Sequence, residues 1–351
     1  MDNDIREERR KQAVLARHHI YVKTEESQSY VSSLSPAERI KFMSDARAAN
    51  ALILKKRRRR SLAFKIFGVA FLSIAALIAI LPIFFTFLNS FMSSTEIKSN
   101  YGVIYESLPG GSEEASRYID KMPQLQLIPQ QVSLDQYSEL LLKTPSYLFK
   151  YWNSILLTVP IVLGQLMVAC TASYSFMRYR RKRREILFFF YIILMLMPFQ
   201  VTLVPNYIMS DRLNILNTPW SIILPGVFST FSIYILTKYM RRIPKSYIEA
   251  AIIDGAGEWQ IFTKVVMPNC KAPVAAMAIL LFIDYWNMVE QPLVMLQDET
   301  MQPLSVFLSK VNVEDIGIAF AACALYMIPP LLIFLRGEDK LVEGISQSGI
   351  K

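Results

Sequence analysis

The sequence predicts an all-α integral membrane protein with six transmembrane helices and both termini on the cytoplasmic side. Three observations carry that reading. Hydrophobic residues make up 53% of the 351 positions, above the share usual in soluble domains. Apolar runs close to the ~20 residues that a helix needs to cross a bilayer recur along the chain. Lysine and arginine, finally, gather in alternate connections between those runs, the pattern that marks cytoplasmic loops.

The first apolar run is Ile66–Leu88. It follows about 60 polar residues, too many for an ordinary signal peptide, so it reads as an uncleaved anchor. Residues 1–60 form a basic cytoplasmic extension in which Ser35-Pro36-Ala37-Glu38 starts a helix that runs to about Leu54. The six basic residues Lys55–Arg60 either fix the topology or bind anionic lipid headgroups. Residues 91–150 form one large outer loop carrying Pro109-Gly110-Gly111 and a helix near Leu134–Leu142. It is either a cap that touches a soluble partner or a plain connector.

Span two is Tyr151–Met177. Its Asn153 either lines a polar path or joins neighbouring helices by a hydrogen bond. Span three, Ile186–Met209, holds Pro198, Gln200 and Pro205. Two prolines predict a broken helix, and breaks face a cavity rather than lipid. Span four, Leu213–Thr237, has a second irregularity at Pro225-Gly226. Span five starts at Ala272 and continues past Asp284 to Val289, with Trp286 and Asn287 following the charge. An ionisable residue inside a span is a functional candidate; the other reading of Asp284 is a cap at a restarted helix, since Gln291-Pro292 ends the segment early. Span six is Ile316–Leu335, and the polar tail is cytoplasmic. The domain plan is therefore 1–60, a six-helix domain 61–340, and a tail 341–351.

The connection between spans four and five, residues 241–272, is unlike a plain linker. It reads as two short helices. Pro244 and Ser246 start the first, and Asp254-Gly255 makes the turn. Trp259, Phe262 and Val266 share one apolar face of the second helix, which Pro268 and Pro273 end. A double helix of this kind fits a groove on a partner, although Trp259 and Phe262 could equally pack on the chain's own helices.

Several chemistries are absent. Three cysteines and two adjacent histidines, His18 and His19, offer neither a disulfide framework nor a metal-ligand spacing. No Gly-x-x-x-x-Gly-Lys-Ser/Thr loop cradles phosphate, and no catalytic triad can be assembled. The formal charge of +9 follows from the bias of the loops and implies no nucleic acid.

At Glu249-Ala250-Ala251-x-x-Asp254-Gly255-Ala256, followed by Ile261-Phe262, Val265 and Pro268, the chain resembles the inner-membrane permeases of ABC importers. Further matches resemble the carbohydrate-type, maltose-permease-like branch. These are Ser133–Tyr137, Asn153-Ser154, Pro198-x-Gln200, Pro205-x-Tyr207, Asn217-Thr218, Trp286-Asn287, Pro292-Leu293 and Val342-Glu343-Gly344. Together they cover roughly residues 64–351. Residues 1–60 and Ser99–Lys121 look like additions to that pattern, and Met288–Gln291 depart from it.

The resemblance implies a type I importer permease that is not itself an enzyme. ATP and Mg would be bound by a pair of ATP-binding subunits, whose cleft receives the coupling loop through Glu249, Ala250, Ala251, Asp254, Gly255, Ala256, Trp259, Phe262 and Pro268. Glu343 and Gly344 would approach the same subunits. Asn153, Gln200, Asp284, Trp286 and Asn287 are the candidates for the translocation path. The implied partners are a second permease subunit, commonly a different chain, an extracytoplasmic solute-binding protein and membrane lipid, in a bacterial-type cell membrane. The implied cargo is a sugar or oligosaccharide, with a peptide or polyamine as the other option. A scaffold or sensor that transports nothing is the contrasting class, supported by the long polar N-terminus.

Overall fold

The computed structural model describes residues 35–97, 99–100, 128–179, 182–310 and 316–348, and at residues 39, 41–63, 145 and 343–348 it gives the course of the helix alone. The Pro109-Gly110-Gly111 stretch of the outer loop, most of the Ser99–Lys121 addition and the first 34 residues lie outside the described residues. Among those described there is no strand, only an isolated antiparallel bridge between Met92 and Val132. The chain divides into two units, residues 1–82 and 83–351.

Helix α1, Pro36–Asn89, opens as expected: Ser35 donates from both its backbone N–H and its Oγ to the Glu38 carboxylate, at 3.2 and 2.7 Å. It does not end at Leu54. The helix runs unbroken for 54 residues, because no glycine or proline interrupts the chain between Glu38 and Phe67 and most residues there are strong helix formers. In its apolar portion, Phe64–Asn89, the most hydrophobic stretch has no buried residue.

In the second unit a short helix α2, Asp135–Ser138, continues as a π turn, Glu139–Lys143. Helix α3, Pro145–Arg178, carries Pro145 in its first turn and Pro160 inside it. Span three is broken, as the sequence predicts: α4, Lys182–Met195, and α5, Phe199–Arg212, meet at 102°. Only Pro198 sits at the break, in an extended conformation, while Pro205 lies inside α5. Span four begins later than Leu213. Asn214 and Asn217 both have positive φ, a conformation that asparagine tolerates better than most residues, and they turn the chain before α6, Trp220–Gly226. After a break at Val227–Ser229 comes α7, Thr230–Met240.

Helix α8, Lys245–Ile253, and α9, Glu258–Asn269, form the double-helix connection; α9 includes a π stretch, Ile261–Val266, and bends by 75° into α10, Lys271–Trp286. Pro268 therefore lies within the last turn of α9, and the bend falls at Cys270. Short helices α11, Glu290–Met295, and α12, Leu304–Ser309, precede the long α13, Ile316–Ser348. Four helical stretches are long and apolar enough to cross a membrane, and up to six if each bent pair is one span.

The bundle is organised around α3 and α10: α10 lies along α13 and α3, and α3 lies along α7. Two glycines permit a close approach between α3 and the α6 end. A Cβ on Gly226 would stand 2.9 Å from Ile161 Cγ2, and one on Gly164 would stand 2.7 Å from Val227 Cγ2, both below any normal contact. At the α10–α13 contact Trp286, 1% exposed, stacks between Phe282 and Tyr326 with centroids 5.4 and 5.5 Å away.

Gly226→Ala is expected to destabilise the bundle by about 1–3 kcal/mol through overpacking, and Ile161→Ala in the same chain should recover part of that loss. Thermal unfolding of the two variants in detergent, against wild type and Ile161→Ala alone, measures the coupling.

Candidate docking loop and membrane path

Helix α8 ends in a Schellman turn. The Ala256 N–H donates to Ala251 C=O at 2.9 Å and the Gly255 N–H to Ile252 C=O at 3.0 Å. Gly255 holds φ at +78°, which only glycine accepts without strain. Ala251 and Ala256 meet under this turn and pack against the main core cluster. Gly257 then donates its N–H to Gln260 Oε1 at 3.1 Å as α9 begins.

One face of the loop is buried in the chain itself. Ile248, Ile261, Phe262, Val266 and Cys270 join residues of α3 and α7 in one core cluster. Phe262 is 8% exposed, with its ring 5.2 Å from that of Tyr174. It therefore anchors the loop to the chain's own helices and is not open to a partner. Trp259 is the opposite case: it is 71% exposed and leans on Phe262 with centroids 5.5 Å apart. Tyr247, Ile252 and Ile253 are also exposed, as are Glu249, Ala250, Asp254 and Pro268.

Charge moors the loop as well. The Glu258 carboxylate accepts from Tyr174 Oη, and pairs with Arg178 at 2.9 Å through Nη2 and at 3.1 Å through Nε. Tyr174 and Arg178 are one turn apart on α3. A second tie links α7's end to α4: Arg241 Nη2 lies 2.7 Å from Glu185 Oε1, its guanidinium 4.8 Å above the Phe188 ring. Sequence reading passed over Glu258, Tyr174 and Arg178. The available signal was the i, i+4 spacing of Tyr174 and Arg178 at the end of a span, opposite an acid at a helix start.

The expected path residues do not converge. Asn153 Nδ2 donates to Thr300 C=O at 2.7 Å and to Gln302 C=O at 3.3 Å, tying the start of α3 to the segment before α12. It also edges a cleft of about 840 Å³ walled by Lys150 and Lys310. Trp286 is buried in its aromatic stack, donating its indole N–H to Tyr326 C=O at 3.2 Å, so it builds the bundle and lines no open path. Asn287 accepts from Tyr326 Oη at 3.0 Å and donates to Ile283 C=O at 2.8 Å, closing the end of α10. Asp284 and Gln200 are exposed, and neither has a hydrogen bond or ion pair among the described residues. Glu343 and Gly344 lie on the last turns of α13; their side chains are outside the description.

A family model described as "Binding-protein-dependent transport system inner membrane component" matches residues 161–345, more than half of the chain. The chain belongs to this family. It is a multi-pass membrane permease component, and the matched region contains the whole of residues 241–272. Curated relatives agree. The chain is 25% identical over 288 residues to the arabinooligosaccharides transport system permease protein AraQ of Halalkalibacterium halodurans, covering 81% of this chain and 94% of that one. It is 29% identical over 234 residues to the multiple sugar-binding transport system permease protein MsmG of Streptococcus mutans, covering 64% and 83%. With the sn-glycerol-3-phosphate transport system permease protein UgpE of Rhizobium meliloti it shares 24% over 295 residues, covering 80% and 95%. Among solved structures, a bacterial ABC transporter involved in the import of the acidic polysaccharide alginate shares the fold, with a TM-score of 0.65 at 23% identity over 79% of this chain and 95% of that one.

Gly255→Ala isolates the cost of the turn, because nothing lies within 4 Å of the added Cβ. Backbone strain alone is expected to cost about 1–2 kcal/mol, and Gly255→Asn less. Hydrogen exchange of residues 245–269 should rise in that order, from wild type through Asn to Ala.

Proposed function

We propose that this permease is one of two membrane halves of an ATP-driven importer that moves a sugar or oligosaccharide delivered by an extracytoplasmic binding protein. The observation that carries the reading is the two-faced loop. One face is fixed to the chain's core. The other offers Tyr247, Ile252, Ile253 and Trp259 around a sharp turn, with Glu249 and Asp254 at its edge. Exposed apolar side chains gathered at one place mark an interaction surface, here the seat for a separate ATP-binding subunit. Hydrolysis is assigned to that subunit, with its ATP and Mg, because this sequence has no phosphate-cradling loop of its own.

In this reading the bent pair α4–α5 is span three, and α10 alone is span five, with α9 left in the cytoplasmic loop; that makes six spans. The basic residues of the loop, of residues 55–60 and of the segment after span six put both termini on the cytoplasmic side. Glu343 and Gly344 then lie on the same side as the ATPase pair. The second membrane half is a different permease chain, as the resemblance implies. Asp284 and Gln200, exposed on membrane helices with no partner among the described residues, belong on the surface that this half or a water-filled path covers, since a carboxylate facing lipid is strongly disfavoured. Relatives named for sugars support the cargo. The relative named for sn-glycerol-3-phosphate favours a second reading, a small phosphorylated polyol.

Affinity purification of the tagged chain from native membranes is expected to bring an ATP-binding subunit and a second permease, with ATP hydrolysis stimulated by a binding protein. Gly255→Asp and Trp259→Glu should insert normally, lose the ATP-binding subunit during purification, and abolish uptake. Normal uptake by both variants would refute the docking surface.

A further inference from the structure

The two breaks in the bundle open onto one cleft. Leu194, Met197 and Phe199 flank the α4–α5 break; Gly226, Phe228 and Ser229 flank the α6–α7 break; all six line the same space of about 500 Å³. That volume is within the ~300–1,000 Å³ that takes small-molecule ligands. None of the sequence's path candidates lines it.

Part of its polar lining is unspent, although Thr202, Ser229 and Tyr285 are already hydrogen-bonded. Gln291 is 8% exposed and lines the cleft, yet its amide makes no hydrogen bond among the described residues. The side chains of Asn206 and Thr230, also in the lining, make none either. The Gln291 residue is mostly buried, but its amide keeps access to the cleft and is free to meet a polar group that enters. Around these groups stand Phe199, Phe228 and Phe231, flat surfaces that suit the C–H faces of a sugar ring.

Charge narrows the class further. No lining residue is ionisable apart from the Tyr285 phenol, and that hydroxyl donates to Gly226 C=O at 3.2 Å. At each break a helix C-terminus and a helix N-terminus come together, so opposite partial charges offset one another and favour neither ion. Amides, hydroxyls and paired helix ends present donors and acceptors side by side, which complements a hydroxyl that is both. An unpaired phosphate or carboxylate would be desolvated there with no counter-charge.

We propose that this cleft carries a neutral, hydroxyl-rich solute on this subunit's own side chains, with Gln291, Asn206 and Thr230 as the groups that hold it. The proposal rests on the importer reading above and decides between its two cargoes, in favour of the neutral sugar.

The test uses the complete transporter, purified with its partners and reconstituted in liposomes. The vesicles receive ATP, binding protein and a mixture of lactose, arabinotriose, maltotriose, an alginate trisaccharide and sn-glycerol-3-phosphate. Mass spectrometry identifies what enters. Neutral sugar entering alone is expected, and Gln291→Leu and Asn206→Leu should each raise its half-saturating concentration about tenfold, the weight of one hydrogen bond. Import of the phosphate or the uronate overturns the assigned class. Sugar import unchanged in both variants overturns the cleft and leaves the importer reading standing. If nothing enters, the importer reading falls and this inference with it. Should the leucine variants fail to assemble, Asn206→Cys supplies a second measurement: the imported sugar should protect that thiol from a methanethiosulfonate reagent, and full labelling at saturating sugar overturns the proposal.

Discussion

Backbone N–H and C=O groups in an apolar medium must find partners within the protein, and three irregularities among the described residues show how that constraint is met. At the α4–α5 break the chain tightens, with Leu196 N–H donating to Ile193 C=O and Met197 N–H to Leu194 C=O. At the α6–α7 break Tyr285 reaches from α10 to the Gly226 carbonyl, and Ser229 Oγ accepts from the Ser232 N–H. At the end of α10 Tyr326 donates to the Trp286 carbonyl, and Asn287 donates to that of Ile283. At the α6–α7 break and at the end of α10, side chains thus take over where the ladder stops. Elsewhere a proline leaves the helix unbroken, and Pro82, Pro160, Pro205, Pro329 and Pro330 all lie inside helices.

Periodicity and length made the helices legible, and two proline-rich irregularities were read in the right places. Which proline breaks a helix was not legible, because that depends on what the neighbouring helices can offer to the freed groups. The start of span four was also misplaced. Leu213 to Pro219 are apolar enough to continue a span, but Asn217 is committed elsewhere: its N–H donates to Met295 C=O and its Oδ1 accepts from the Asp298 N–H. That tertiary contact is invisible in a window of sequence. The end of the first helix was set too early, at Leu54, although the basic run Lys55–Arg60 that follows holds nothing to break a helix.

The docking loop shows the same division at the level of single residues. Its turn was readable, because Asp254-Gly255 is a local signal and the positive φ of Gly255 is a local need. Its two apolar anchors were not separable by pattern: Trp259 and Phe262 lie on one helical stripe and differ only in what stands opposite. Tyr174 covers Phe262 and leaves Trp259 bare. Glu258, the acid that fixes the second helix to α3, had no motif to announce it, because its partners Tyr174 and Arg178 are about 80 residues away in the chain.

On the importer reading, the loop and the cleft must sense one another, and the packing supplies a short route. The core cluster beneath the loop includes Ile233, Leu236 and Met240 of α7. The first residue of the same helix, Thr230, lines the cleft. Eleven residues of α-helix span about 16 Å, so one rigid rod joins the two places. Its sides are clamped: Ser173 Oγ donates to Ile233 C=O at 2.9 Å, and Gln165 Nε2 donates to Ser232 Oγ at 2.7 Å, both from α3. A helix held this way shifts as a body together with α3. The break at Val227–Ser229, at the far end of the rod, is where the chain has least regular structure to resist that shift. A ligand that favours one position of α7 in the cleft and an ATPase that favours the other at the loop would then bias the same element, which is the physical content of coupling between two sites.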